Sequence, residues 1–272
     1  MHKFVNGFVK RFFFLYNLFM DKTFISIIIP SYNEMANLQK GVLDKVEHFL
    51  GKQKYTYEVL IVDDGSTDGS IEFVQSFVKE NSKFKLIKNP HLGKAGAVTT
   101  GILKGTGKYR LFTDMDQATP IEELDKLLPY LNKEFDIVIG SRNSHRKGAP
   151  FTRAVMAKGM IVLRTLIVGV KDIKDTQCGF KIFNEKSAEE LFSKLQNFHH
   201  GFKEISGSAV KAGFDVELLF LAEKLKYKIK EVSVTWLYVE SRRVSPVMDS
   251  ISAVSDLIRI RLNDFSGKYK NL

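Results

Sequence analysis

The sequence predicts an α/β fold with a mostly parallel central sheet and helices on both of its faces. Three observations predict it. Short, wholly apolar runs rich in β-branched residues alternate with stretches of helical spacing, little sequence connects them, and each unusual polar cluster in the first half follows such a run. Strands covered on both faces are apolar throughout, and a sheet of this kind binds its ligands beyond the carboxyl ends of its strands.

The elements follow in order. "FISIII" and "YEVLIV" read as the first two strands, and Leu38, Val42, Val46 and Phe49 place a helix between them. After "VDDGSTDGS", a loop of capping residues, Ile71, Val74, Phe77 and Val78 mark a second helix. "FKLI" is a third strand, Lys94 to Lys104 a third helix and "KYRLFT" a fourth strand. Beyond them "DIVIGSRN", "FKIF" and "VSVTW" read as strands, the last with Val232, Val234 and Trp236 alternating, and residues 154–169 and 216–226 read as helices. The expected organisation is an N-terminal segment over 1–22, one domain over 23–240 and a basic amphipathic helix over 241–272.

Composition bounds the function. The chain has 272 residues, 44% of them hydrophobic, which is enough for a large core. Its single cysteine, Cys178, excludes an intrachain disulfide and a Cys-based zinc cluster, and fits a reducing compartment. A net charge of +10 and a pI near 9.4 call for an anionic partner. Nucleic acid is not expected, because the aromatic residues lie mostly in apolar runs rather than beside the basic ones. In the segment 1–22, Lys10 and Arg11 interrupt the roughly 20 apolar residues that a spanning helix needs, and no small-residue cleavage site follows. Phe4, Phe8, Phe12, Leu15 and Phe19 suit an amphipathic helix lying in a membrane interface, and a helix packed on the domain would show the same spacing.

The end of the fourth strand carries the chemistry. In "LFTDMDQATP", period-two alternation sends Asp114 and Asp116 to the same side, where each disfavours the other's charge. Hard oxygen ligands at such an edge suit Mg²⁺ or Mn²⁺ shared with a substrate's phosphates. The sequence has neither a Walker A loop nor G-x-G-x-x-G, so an ATPase and a dinucleotide dehydrogenase lack their phosphate loop.

"IIIPSYNE", "VLIVDDGSTDGS", "LGKAGAVTTGI", "FTDMDQAT", "IVIGSRN", "DTQCGFKIF" and "FDVELLFLA", in this order, resemble the family 2 glycosyltransferases with the GT-A fold. Within that family they look most like its dolichyl-phosphate and polyprenyl-phosphate glucosyl branch. The resemblance covers residues 24 to 262. It implies an inverting transfer of a hexose, glucose from UDP-glucose, onto a polyprenyl or dolichyl phosphate at a membrane surface. GDP-mannose, a saccharide acceptor and a silent nucleotide- or lipid-binding protein are the alternatives.

By the same resemblance Pro30, Tyr32 and Glu34 line the nucleoside pocket, Asp64 bonds the base or ribose while Asp63 caps the turn, and Lys94 approaches the nucleotide. Asp114 and Asp116 hold Mg²⁺ or Mn²⁺ against the diphosphate. Arg142, Arg153 and, more weakly, Lys158 meet donor or acceptor phosphates, as arginine forks do. Asp175, Gln177 and Lys181 lie near sugar and acceptor. Asp215 and Glu217 are candidates for a base or for sugar-hydroxyl ligands, although a phosphate acceptor is already anionic at neutral pH. Two departures stand out: Gln117 falls one place before the glutamine of the related mannosyltransferases, with Ala118 in that place, and "HHGFKEISGSAVKAG" is longer than expected. The tail "WLYVESRRVSPVMDSISAVSDLIRIRLND" places Arg242, Arg243, Arg259 and Arg261 beside an apolar helical face. Peripheral attachment to the cytoplasmic face of an anionic membrane is therefore expected.

Overall fold

Ile25, Ile27 and Ile29 turn one way along the first strand and Ile28 the other, and all are fully buried. That is the mark of a strand covered on both sides. The computed structural model describes residues 23–131, 134–142, 159, 161–170, 172–203, 213–237 and 246–269, with the backbone alone for 246–250. The segment 1–22, Arg153, Lys158, Arg242 and Arg243 lie outside the described residues.

Seven strands form one sheet in the order β3-β2-β1-β4-β6-β5-β7: β1 Ile25–Ser31, β2 Tyr57–Asp63, β3 Phe84–Lys88, β4 Tyr109–Thr113, β5 Ile137–Arg142, β6 Phe180–Asn184 and β7 Ile229–Val234. All run parallel except β6, which pairs antiparallel with both β4 and β5. One face packs on α1 Met35–Leu38, α2 Val42–Gly51, α3 Ser70–Glu80 and α5 Leu124–Leu131, through Leu38, Val46, Val74, Leu124 and Leu127. The opposite face packs on α4 Gly93–Lys104, α6 Glu185–Phe198 and α7 Gly213–Lys224, through Val98, Leu195 and Leu218. A last helix, α8 Pro246–Phe265, adds Leu257 and Ile260 to that second core, and Tyr269 follows them in. α7, covered by sheet and α8, is buried from Gly213 to Ala222, with Asp215 and Glu217 among the buried residues.

The strands match the expectations closely, and the helices differ in three ways. The single helix expected after β1 is broken into α1 and α2 at Gly41, whose φ of 69° ends the first turn. α5 was not anticipated from the sequence, and neither was α6. Asn184 caps it, its side chain accepting from the Ser187 N–H, and Ala188, Leu191 and Leu195 give it a buried stripe. Of the helix expected over 154–169, the continuous helical residues described are 161–167. Among strands the one difference is at β7, which stops at Val234, so Trp236 lies in the segment beyond it.

At the amino end of the sheet Glu58 of β2 ties neighbouring elements together. Its carboxylate accepts from Ser26 Oγ (2.7 Å), the Thr106 N–H (2.7 Å), Thr106 Oγ1 (2.8 Å) and Lys85 Nζ (2.9 Å). Burial works against its charge, but these bonds hold its pKa at about 2, below the ordinary 4.5. The linked stability is complete above pH 4.5 and is lost as the pH falls toward 2. In urea unfolding measured against pH, Glu58→Gln is expected to remove about 2 kcal/mol at neutral pH and to flatten the acid limb between pH 5 and 2. An unchanged acid limb would refute the assignment.

Candidate active site

The β1–β2 ladder runs to Ser31 opposite Asp63, whereas the β1–β4 ladder ends at Ile28 opposite Phe112. Pro30 lies past that end, where its missing N–H costs no bond to β4. The chain leaves β1 for β2 on one side and reaches β4 on the other, which makes a topological switch point with a crevice at its carboxyl edge. The loops after β1, β2, β3 and β4 and the carboxyl end of β5 arrive there. Because β6 is antiparallel, the residues just before it, Asp175 to Gly179, arrive at the same edge.

On the β1–β3 side the loops organise a stacking surface. Tyr32 lies flat on His91, with ring centroids 4.2 Å apart and planes 15° from parallel. His91 Nδ1 faces two acceptors, Asp64 Oδ2 and the Asp64 carbonyl, both at 2.8 Å, so that nitrogen carries the proton. Asp64 also accepts from the N–H groups of Leu92 (2.9 Å) and Gly93 (2.7 Å). Burial raises its pKa, and these bonds only partly oppose the rise. At 2% exposure Asp64 is the buried organiser of this loop, and of the two bonded side chains it is His91, not Asp64, that is the more exposed to the crevice. The signal for His91 was its place in "NPHLGKAGA". Asp63 caps its turn as expected, accepting from the N–H groups of Gly65 and Ser66. Glu34 is half-buried at the start of α1 and accepts from Asn37 Nδ2 at 2.6 Å.

At the crevice Lys94, in the first turn of α4, pairs through Nζ with Asp114 Oδ1 at 2.5 Å. Burial opposes the lysine's charge, yet Asp114, Asp215 and Asp116 together raise its pKa. Asp116 accepts from the Ala118 N–H at 3.0 Å, and burial, then the neighbouring Asp114, push its pKa up. Gly179 is a residue that the sequence reading passed over. A Cβ there would sit 2.0 Å from Asp114 Oδ2, so the carboxylate rests on its bare Cα. Gln117, at φ 48°, closes the turn by donating from Nε2 to the Asp114 carbonyl at 2.9 Å.

Arg142, at the end of β5, is gripped by Asp175 through its N–H (3.0 Å), Nε (2.7 Å) and an Nη (2.8 Å). Burial works against Asp175's charge, and the guanidinium still holds its pKa below the usual range. Beneath that loop Arg164 donates to the Ile173 carbonyl and to Thr176 Oγ1. Arg142, Gln177, Gly179, Asp114, Thr113 and Trp236 line one small cleft. Trp236, expected in a strand, thus faces the site.

Two expectations are corrected here. Lys181 is 0% exposed, its Nζ held by Asp215 and by the Cys178 carbonyl (2.7 Å), so it supports the site from below and cannot meet an acceptor phosphate. Glu217 lies two residues beyond Asp215, about 200° around α7. It faces away, accepting from Tyr269 Oη (2.5 Å) and bonded to His199 Nε2 (2.9 Å). Burial opposes its charge, but His199 and then Tyr269 hold its pKa low. Glu217 therefore ties down the C-terminal residues and does not touch the crevice.

A doubly wound sheet with paired carboxylates at its switch point and an arginine across the cleft has the architecture of a GT-A transferase. The fold of mannosyl-3-phosphoglycerate synthase from Rubrobacter xylanophilus matches it with a TM-score of 0.56, at 15% identity, over 90% of this chain and 75% of that one. The sequence matches Glycosyl transferase family 2 over residues 26–192, and the chain belongs to that family. It is 35% identical over 270 residues to a dolichyl-phosphate beta-glucosyltransferase of Dictyostelium discoideum, covering 92% of this chain and 78% of the relative. It is 33% identical over 276 residues to the protein of that name from Saccharomyces cerevisiae, with the same coverage.

Gly179 gives the sharpest test of this geometry. Gly179→Ala is expected to displace the Asp114 carboxylate and lower glycosyl transfer by about 100-fold, the effect of losing one aligned electrostatic contact, while the circular dichroism spectrum stays native. Transfer within twofold of wild type would show that the cradle has no role.

Proposed function

We propose that this chain transfers glucose from UDP-glucose to a polyprenyl or dolichyl phosphate, with inversion, at a membrane surface. The observation that carries the proposal is the convergence of Asp114, Asp116, Lys94 and Arg142 on one crevice at the switch point, in a chain about one-third identical to dolichyl-phosphate beta-glucosyltransferases over nine-tenths of its length.

The residues fit a divalent cation of the Mg²⁺ or Mn²⁺ kind. Among the described residues no group of three or more His, Cys, Asp and Glu is placed to cage a metal. Asp114 and Asp116 alone suit an ion that keeps most of its positions for water and phosphate oxygens. When bound, such an ion supplies Lewis-acid neutralisation of charge on the departing diphosphate. The chain's own groups do the rest. Tyr32 and His91 offer the nucleoside a stacked aromatic face, with Pro30 and Glu34 beside it. Lys94 offers an ammonium to the diphosphate. Arg142, aimed by Asp175, keeps donors for a second phosphate, with Gln177 at the cleft wall. Asp215, held by Lys181, fixes the negative charge under Lys94. No general base is required, because the attacking phosphate oxygen already carries negative charge.

Attachment to lipid is supported by α8. Ile251, Ile258, Leu262 and Phe265 fall on one face and are exposed, Phe265 by 71%, while Leu257 and Ile260 face the core. Arg259 and Arg261 flank the exposed stripe, the latter with its guanidinium 4.3 Å from the Phe265 ring centroid. An apolar stripe edged by arginines suits an anionic bilayer. Among the described residues no helix is long and apolar enough to cross a membrane. Arg153, Lys158 and the segment 1–22 belong to the same proposal as further phosphate and membrane contacts.

The experiment is transfer of labelled sugar from UDP-glucose, and in parallel from GDP-mannose, to a short polyprenyl phosphate in detergent with Mg²⁺ or Mn²⁺. Glucosyl lipid is expected, abolished by chelator and lowered by more than 10³-fold in Asp116→Ala. Transfer from GDP-mannose alone would replace the donor, and transfer from neither would overturn the acceptor. For the membrane, co-sedimentation with anionic liposomes is expected to fall by at least tenfold in the double variant Ile258→Glu, Leu262→Glu. Unchanged sedimentation would remove α8 from the membrane contact.

A further inference from the structure

The ammonium of Lys94 occupies the carboxylate oxygen that a divalent cation would need. Its Nζ lies 2.5 Å from Asp114 Oδ1, and Asp114 Oδ2 is pressed against the bare Cα of Gly179. One oxygen is thus taken by an ammonium and the other is hemmed by backbone. The Asp114 side chain is 38% exposed and that of Lys94 24%, so ligands can reach both members of the pair. Lys94 sits in the first turn of α4, directly after Gly93, whose N–H is bonded to Asp64 at 2.7 Å. Its backbone is therefore tethered, and the side chain alone is free to change partner. A diphosphate in the crevice offers that ammonium a doubly charged alternative to Asp114.

We propose that Lys94 and the divalent cation are mutually exclusive occupants of Asp114, and that the donor's diphosphate switches one for the other by drawing the ammonium away. The consequence is an order of binding. Metal binds the protein weakly by itself and tightly once a nucleoside diphosphate is present, because the diphosphate both contributes oxygens to the ion and removes its competitor. Lys94 is then more than a phosphate contact: it couples two ligands, and by linkage metal and nucleotide strengthen each other by the same factor. This inference rests on the reading of Asp114 as a metal ligand.

The test reads metal affinity and not turnover. Free Mn²⁺ is titrated by its electron paramagnetic resonance signal against the full chain, with and without UDP, for wild type, Lys94→Met, Lys94→Gln and Lys40→Met. The last removes a charge that Asp116 feels across space. Wild type is expected to bind Mn²⁺ at least tenfold more tightly with UDP than without. Both Lys94 variants are expected to bind Mn²⁺ without UDP about tenfold more tightly than wild type, the factor for removing a competing ion pair worth ~1.4 kcal/mol. The benefit of UDP should shrink correspondingly. Lys40→Met should shift Mn²⁺ affinity by less than threefold. Equal Mn²⁺ affinity of wild type and both Lys94 variants without UDP, with UDP still tightening all of them, overturns the competition and leaves the metal site standing. An equal gain in Lys40→Met reduces the effect to net charge and also overturns it. Absence of Mn²⁺ binding in every protein, although UDP binds, overturns the metal reading itself.

Discussion

The excess of carboxylates at one sheet edge is the constraint on which the site depends. Asp114, Asp116, Asp175 and Asp215 gather around a single crevice, where their mutual repulsion would be unfavourable without compensation. The chain answers with cations drawn from different elements: Lys94 from α4, Arg142 from β5 and Lys181 from β6. Each pairing crosses the sheet or spans a loop, so charge balance also fixes how these elements sit against one another. Breaking one pair leaves an uncompensated buried or half-buried charge, which costs far more than the pair contributes when intact.

A gradient of exposure separates what supports the site from what meets ligand. Asp64, Lys181 and Arg164 are almost wholly buried and act through His91, Asp215 and Asp175, respectively. Arg164 reaches Asp175 only through the loop that it anchors. Tyr32, His91, Lys94, Asp114, Arg142 and Gln177 form the surface that those groups hold in place. Rigid support of this kind is what electrostatic stabilisation requires, since dipoles and charges that must reorganise during reaction lose their advantage.

Much of this was legible in the sequence, and the rest was hidden for definite reasons. The apolar runs fixed the strands because a buried parallel strand admits almost nothing else, and the spacing of Asp114 and Asp116 announced a shared partner. Lys181 misled because a lysine between Phe180 and Ile182 gives no sign of which face it enters. Only the antiparallel pairing of β6 with β4 and β5 puts it in the interior beside Asp215. Glu217 was separable from Asp215 in principle, since residues two apart cannot share a helix face, but that needed the helix to be placed first. α6 had its signal in Asn184 and in the spacing of Ala188, Leu191 and Leu195. His91 lies inside "NPHLGKAGA" and Gly179 inside "DTQCGFKIF", and neither stands out within its run. Their importance arises from contacts with Asp64, Tyr32 and Asp114 that are far away in sequence.

The position of β6 also governs how the chain can reach this state during synthesis. β6 follows β5 in sequence but lies between β4 and β5 in the sheet. Until residues 180–184 emerge, β4 has an open edge and β5 has no inner neighbour, however well the first half has folded. An unpaired hydrophobic edge in the centre of a growing sheet is a template for association between chains. Closing it also delivers Asp175 to Arg142 and Lys181 into the interior, where Asp215 later joins it. The step that seals the sheet against aggregation is thus the step that begins to balance the crevice, and a chain stalled before it would be both sticky and inactive.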